Sequence, residues 1–145
     1  MNKFINTSNR FVMTPLISLS IWIVAILMSA VVDVVFIRLF SHGEAWQAFR
    51  LIMIFSATFS FPGIIIFWGV FILNCKKDGL FNLLLITAFI TSFLSAFVFF
   101  MLINGFSGQG FWLLLFAVLS ALAAVVLHRP AINHLLQTQK INNDV

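Results

Sequence analysis

Charged residues are scarce in this sequence, since Asp, Glu, Lys and Arg together make up 8% of its 145 residues. In soluble domains these four residue types make up about a quarter of the chain. Apolar residues make up 62% of the chain, and the mean hydropathy is +1.12. Because so few charged residues cannot cover the surface of a soluble fold, lipid must cover much of the surface of this protein. The composition predicts an integral membrane protein in contact with the lipid bilayer.

The residues that carry most enzyme chemistry are also missing. Cys75 is the single cysteine, which excludes an intramolecular disulfide, and there is no Cys/His cluster of the kind that binds zinc. The sequence has no Gly-rich phosphate loop, no Ser/His/Asp set, no His pair for haem and no tyrosine. These absences predict no catalytic, cofactor-binding or metal-binding residues. A membrane enzyme is therefore the least favoured of three functional hypotheses, because an enzyme would need at least two convergent polar groups.

The net charge of +4 and the isoelectric point near 10.0 do not indicate nucleic-acid binding. The eight Lys and Arg residues stand in ones and twos between apolar runs. A nucleic-acid surface needs basic residues clustered on one face. Positive charge beside apolar segments is instead typical of the orientation signal of a membrane protein. We expect no nucleic-acid partner.

Four segments are apolar for about the 20 residues that a membrane-spanning helix needs. The predicted fold is an all-α membrane protein with four transmembrane helices in a compact bundle. Thr14 followed by Pro15 is typical of a helix start. The spans cover about 15–37, 51–73, 80–103 and 111–127, and residues 131–145 form a short polar tail.

The distribution of Lys and Arg predicts the orientation. Six of the eight lie in the amino-terminal arm, the second loop and the tail, and two flank the first loop. Because basic residues favour the cytoplasmic side, both termini are predicted to be cytoplasmic in a bacterial-type inner membrane. A cleaved signal peptide is disfavoured, because the first apolar run is longer than a signal core.

Small residues recur at four-residue spacing on the third span, at Ala88, Ser92 and Ala96. Lipid provides little hydrophobic force between helices, so close approach of small residues drives their packing. This stripe is a candidate helix-packing interface. It either packs the protein's own four helices or forms a contact face for a partner.

Pro62 lies halfway along the second span. Proline removes a backbone donor and clashes with the carbonyl four residues earlier, so it predicts a kink in the second helix. Nearby Ser and Thr hydroxyls can bond the freed carbonyls inside lipid. The kink either widens the bundle as a fixed bend or acts as a hinge.

Asp33 is the most informative residue, because it lies in an apolar stretch near the end of the first span. A carboxylate at membrane depth costs at least about 2.5–3.5 kcal/mol on insertion scales, so it needs a partner, a proton or water. Arg50, at the start of the second span, is the predicted countercharge. His42 and Glu44 in the first loop could add sensitivity to pH, and they are too few for a metal site.

The leading functional prediction is a non-enzymatic inner-membrane protein that binds a larger membrane protein through helix contacts, as an accessory subunit, a modulator of an envelope sensor or a protective (immunity) factor. It rests on small size, minimal loops and absent chemistry, by analogy only. The alternative is a small homo-oligomeric channel or transporter. For this alternative Asp33 and Pro62, with serine-lined stripes, would supply a polar path.

Overall fold

A computed structural model of the chain describes residues 2–40, 45–74, 79–103 and 108–141, and these residues form five helices. The helices begin and end where Gly, Asn or charged residues interrupt the apolar runs, as helix ends do. Their bounds are α1 Asn2–Phe40, α2 Ala45–Asn74, α3 Leu80–Ile103, α4 Gly108–Leu127 and α5 Arg129–Ile141.

The first four helices form a ring in which α1 contacts α2 and α4, and α3 contacts α2 and α4. Neighbours run in opposite directions. Ser20 of α1 contacts His128 just after α4, whereas Phe36 of α1 contacts Phe116 of α4. The short connections between successive helices allow this up-down arrangement.

Three helices contain segments long and apolar enough to cross a membrane, namely Val12–Phe36, Ser56–Asn74 and Leu80–Phe99. A fourth candidate is the segment Phe111–Leu127, which continues after a bend of 46° into Arg129–Leu135. The chain is therefore an all-helical protein with the features of a multi-pass membrane protein.

The distribution of residues between the inside and the outside of the bundle agrees with a lipid environment. Each helix exposes large apolar side chains, such as Val31 on α1, Phe61 on α2, Leu94 on α3 and Leu119 on α4. Polar and charged residues lie among the buried ones: Thr14, Ser18, Ser29, Asp33, Thr87 and Ser120. In the bilayer this arrangement keeps polar groups away from hydrocarbon.

Two helix ends differ from the sequence-based expectation. Helix α1 does not start at Pro15 but runs through it from Asn2, and Thr14 is fully buried rather than capping an exposed end. The predicted polar tail contains α5, and Ile132 of α5 is fully buried. Burial of this apolar side chain packs the mostly polar helix α5 against the bundle.

The best-packed part of the bundle, which we call the packed end, lies beside α5. Its fully or almost fully buried side chains come from α2, α3, α4 and α5 and are Phe71, Leu80, Leu84, Val125 and Ile132. Two polar contacts add to it. The Arg129 guanidinium lies 5.0 Å from the centroid of the Phe81 ring, a cation–π distance, and His128 contacts Ser20 of α1.

The His128 ring joins two helices at the packed end. Its Nδ1 lies 2.8 Å from the Ala124 carbonyl, and its Nε2 lies 2.8 Å from the Ser20 hydroxyl. Because a carbonyl can only accept, Nδ1 donates to Ala124, and Nε2 is the ring atom that meets the Ser20 hydroxyl. This contact ties the end of α4 to α1.

Candidate functional site

A cavity of about 160 Å³ lies inside the bundle, between the packed end and the end of α1 that carries Asp33. One water molecule needs about 10–15 Å³ measured in this way, so the cavity has room for a small molecule. All four helices of the ring contribute to its wall. The lining residues used below are Ser18, Trp22, Ser29 and Asp33 of α1, Ser56, Phe59, Ser60, Gly63 and Phe67 of α2, Ala88, Thr91, Ser92, Ser95, Ala96 and Phe99 of α3, and Ala117 of α4.

The cavity exists because small side chains face one another across the bundle axis. The predicted stripe of Ala88, Ser92 and Ala96 lines this cavity, with both alanines buried. The stripe therefore faces the protein's own helices and is not on the lipid-facing surface. Of the two interpretations of the stripe, the position of these residues favours internal packing.

Asp33 lies at one end of the cavity and is 5% exposed. Its Oδ2 accepts a hydrogen bond of 3.3 Å from the Ser29 hydroxyl, one turn earlier on α1. Its Oδ1 is buried and makes no hydrogen bond within the described part of the chain. A buried charged group of this kind normally has all its acceptors paired. The unpaired oxygen is therefore the strongest indication of a ligand.

The sequence-based pairing of Asp33 with Arg50 is replaced in the structure by the contact with Ser29. Arg50 lies on α2 with an exposed side chain and does not line the cavity. An arginine at a helix end keeps its guanidinium in a polar environment at lower free energy than in the apolar interior. His42 and Glu44, the other two predicted residues of this region, lie outside the described residues.

Ser18 lies at the opposite end of the same cavity and is 1% exposed. Its hydroxyl oxygen is likewise buried and has no hydrogen-bond partner among the described residues. Fifteen residues of helix separate Ser18 from Asp33, a rise of about 22 Å. The cavity thus has one unpaired polar group near each end.

Several other hydroxyls of the wall are bonded inside their own helices. Thr91 donates to the carbonyl of Thr87 at 2.8 Å, and Ser92 donates to the carbonyl of Phe89 at 3.1 Å. Such bonds to the preceding turn are common for Ser and Thr in membrane helices. They leave the cavity wall between its two ends mostly apolar.

One hydrogen bond crosses the cavity wall between α1 and α2. The indole Nε1–H of Trp22 donates to the Ser60 hydroxyl at 2.8 Å, and Ser60 in turn donates to the carbonyl of Ser56. The Trp22 ring therefore has a fixed orientation, with its polar edge satisfied and its apolar surface against the cavity.

Pro62 and Gly63 face different surroundings on α2. Pro62 is exposed, whereas Gly63 lines the cavity. A Cβ atom at Gly63 would lie 3.3 Å from Cβ of Thr91, so α2 approaches α3 closely here. The hydroxyls expected to bond the carbonyl freed by Pro62 donate elsewhere: that of Thr58 bonds Ile54, and that of Ser60 bonds Ser56.

Sequence reasoning did not single out Ser18, Trp22, Gly63 or Thr91 as parts of a site. Gly63 follows Pro62 directly, and this position was interpreted only as part of a kink. Its close packing against another helix was not predicted. Ser18 and Asp33 are fifteen positions apart, a spacing of slightly more than four helical turns, so both lie on nearly the same face of α1. That spacing could have linked the two residues.

The chain matches no known protein family, no curated protein and no solved structure. What the fold and the cavity define is a class, a helical membrane bundle with an internal cavity that contains one buried carboxyl group.

Proposed function

We propose that the protein crosses a bacterial-type inner membrane four times, with both termini in the cytoplasm. The fourth span is α4, and α5 then turns along the membrane surface. Two observations support this topology: the 46° bend after α4, and the six of eight Lys and Arg residues on the flanks assigned to the cytoplasm.

Reporter fusions test this topology directly. Fusions after Glu44 and Ser107 should report the external side, and fusions after Asp78 and Lys140 the cytoplasmic side. An external signal after Lys140 would overturn the four-span arrangement, because an even number of spans returns the chain to its starting side.

Pro62 bends α2 in this proposal, and the bend gives the cavity part of its width. The missing N–H of proline and its clash with the Thr58 carbonyl provide the physical cause. Exposure of Pro62 on the lipid side, with Gly63 on the cavity side, supports a fixed bend that opens the bundle internally.

Within this arrangement the protein acts without catalysis, by binding a small ligand in the cavity, as a small channel or transporter does. The observation that carries this proposal is the buried, unpaired Oδ1 of Asp33 at the cavity wall. Ionisable residues at membrane depth are costly and mark ligand, ion or proton pathways. A protein that only packed against a partner would gain nothing from this carboxyl group or from the space beside it.

Native mass spectrometry of the protein released from mild detergent tests ligand binding. The wild-type chain should carry a small molecule that survives purification. Ala117→Phe should remove it, because the ring fills the cavity, whereas Ile90→Phe should retain it, because Ile90 is exposed on the lipid side. A ligand retained equally by both variants would place it outside the cavity and contradict the proposal.

Helix contact with a larger membrane protein is the second candidate function. One observation favours the outward face of α2 for it: a Cβ atom at Gly69 would meet no atom within 4 Å, and Pro62 and Leu73 are exposed on either side of it. Spacings of seven and four residues place all three on one helix face. A glycine on an outward face lets another helix approach closely.

Gly69→Leu tests this second function. It should abolish co-purification with a membrane partner in mild detergent while the protein still inserts, because the leucine blocks close approach. Ile65→Leu changes an exposed residue of the same helix without adding volume and is the control. Co-purification of the wild-type chain with itself alone would instead favour a homo-oligomer.

A further inference from the structure

We infer that the cavity ligand is a lipophilic organic cation, a molecule with one positively charged ammonium group and an apolar, partly aromatic body. This inference rests on the proposed function, because it names the class of ligand that binds in the same cavity. It follows from four features of the described cavity wall: its charge, its oxygen count, its hydrogen-bond donors and its aromatic rings.

The charge of the cavity comes from one residue. Among the lining residues Asp33 alone is ionisable. Arg38 and Arg50, the described cations nearest to it along the sequence, have exposed side chains and are not part of the wall. A carboxylate in this position needs a positive charge from elsewhere, and its unpaired Oδ1 is available to accept from an ammonium N–H.

An inorganic cation fits this end of the cavity poorly. Hard cations in proteins are bound by about six or more oxygen ligands. At this end the structure brings together the Asp33 carboxylate and the Ser29 hydroxyl, and that hydroxyl already donates to Asp33. An organic ammonium group needs far fewer oxygens, because its apolar substituents replace the hydration shell on the other sides.

The body of the ligand is mostly apolar in this inference, because apolar side chains dominate the wall and several of its donors are already used. Ser60, Thr91 and Ser92 donate to carbonyls of their own helices, and the Trp22 indole donates to Ser60. A sugar or a carboxylic acid would lose its hydrogen bonds with water here and regain few of them. Aromatic and aliphatic groups lose nothing comparable.

Aromatic rings line the same cavity as the carboxyl group. Phe59 and Phe99 lie edge to face with centroids 5.4 Å apart, and both rings line the cavity, as do Trp22 and Phe67. Rings in such positions pack against an apolar ligand body, and their faces also attract an ammonium group. Ser18, at the far end, provides one hydroxyl for a polar tail.

The test uses two probes that differ in charge and little in shape, 4-phenylbutylammonium and 4-phenylbutanol. Their binding to the full-length protein in lipid nanodiscs is measured at equilibrium, with binding to empty nanodiscs subtracted. The variants are Asp33→Asn, which removes the charge at nearly constant volume, and Arg38→Gln, which removes an exposed charge outside the cavity wall.

The wild-type protein and Arg38→Gln should bind the ammonium probe about tenfold or more tightly than the alcohol. Asp33→Asn should lose this preference and still bind the alcohol. Equal binding of both probes to the wild-type protein, or a preference that survives Asp33→Asn, would overturn the inference that the ligand is a cation. The proposal that the cavity binds a ligand would then still stand. Absence of binding by either probe would overturn both proposals.

A second measurement covers the case in which Asp33→Asn does not fold. A hydrophobic carbodiimide should label Asp33 of the wild-type protein, with the labelled peptide identified by mass spectrometry. The ammonium probe should slow this labelling, and 4-phenylbutanol at the same occupancy should slow it less. Equal protection by the two probes would contradict the inference, because a cation binds a carboxylate oxygen more strongly than a neutral alcohol does.

Discussion

The packed end and the cavity share helices α2, α3 and α4 but differ in the side chains that these helices contribute. At the packed end, Phe71, Leu80 and Leu84 fill the space between helices and are almost completely buried. Around the cavity many of the lining residues are Ala, Ser, Thr or Gly, and the space stays open. Helix α5 adds Ile132 to the packed end only.

The difference shows how a small bundle can keep an internal cavity without collapsing. Lipid tails are as apolar as leucine, so the hydrophobic effect does not close a gap between membrane helices as it would in water. Packing at one end and the close approach of Gly63 to Thr91 hold the helices in place. The remaining small residues then need not touch.

Truncation at the packed end should have the largest effect on stability. We expect Phe71→Ala to lower the free energy of unfolding in detergent by up to about 3–5 kcal/mol, because it removes a fully buried ring that packs edge to face on Phe67. Phe61→Ala, at an exposed position, is the control and should have little effect. Similar losses for both would show that the packed end is not the stable part.

The two glycines of α2 should respond differently to the same substitution. Gly63→Val should be less stable than Gly69→Val by about 1–3 kcal/mol, because its Cβ would press on Thr91 whereas the Cβ at Gly69 meets open space. Unfolding titrations of both variants check this difference. Equal stability would mean that α2 and α3 can separate at no cost.

Double-mutant cycles distinguish the observed partner of Asp33 from the predicted one. Ser29→Ala and Asp33→Asn should couple by about 0.2–0.5 kcal/mol, the range for side-chain pairs four residues apart on one helix. Asp33→Asn and Arg50→Gln should be additive, because Oδ2 of Asp33 is bonded to Ser29 and Oδ1 has no hydrogen-bond partner among the described residues. Strong coupling in the second cycle would restore the Asp33–Arg50 pair.

The smallest effect is expected for Ser92→Ala. The Ser92 hydroxyl bonds only the Phe89 carbonyl of its own helix, so its loss should change stability by less than about 0.5 kcal/mol. Ser92→Leu adds volume inside the cavity and should reduce ligand binding while the protein still accumulates. Loss of binding in the alanine variant with retention in the leucine variant would point to the hydroxyl as a direct ligand contact.

Much of the fold could be predicted from composition and apolar length alone. The all-helical membrane class and the approximate positions of the apolar segments follow from residues within about 20 positions of each other. The amino-terminal extension of α1 and the helix α5 were not predicted in this way. Thr14–Pro15 predicted a helix start, which was wrong because Pro15 lies inside α1, and the burial of Ile132 depends on distant residues.

Only part of the candidate site could be predicted from the sequence. The stripe of Ala88, Ser92 and Ala96 was recognised by its spacing, but spacing does not say which neighbour a helix face meets. Arg50 was chosen as the partner of Asp33 because both lie at the same end of the bundle. Ser29 was nearer, on the same helix face, and its short side chain reaches the carboxylate at a lower cost in entropy.

By itself, then, the sequence determined that this chain belongs in lipid, since its charges are too few and its apolar runs too long for a water-soluble core. It also determined that the one acidic residue within these runs would need an unusual environment. Only the tertiary structure decided what that environment is. Four helices from distant parts of the chain line a partly open cavity beside Asp33, and helix periodicity specifies a face but not what that face meets.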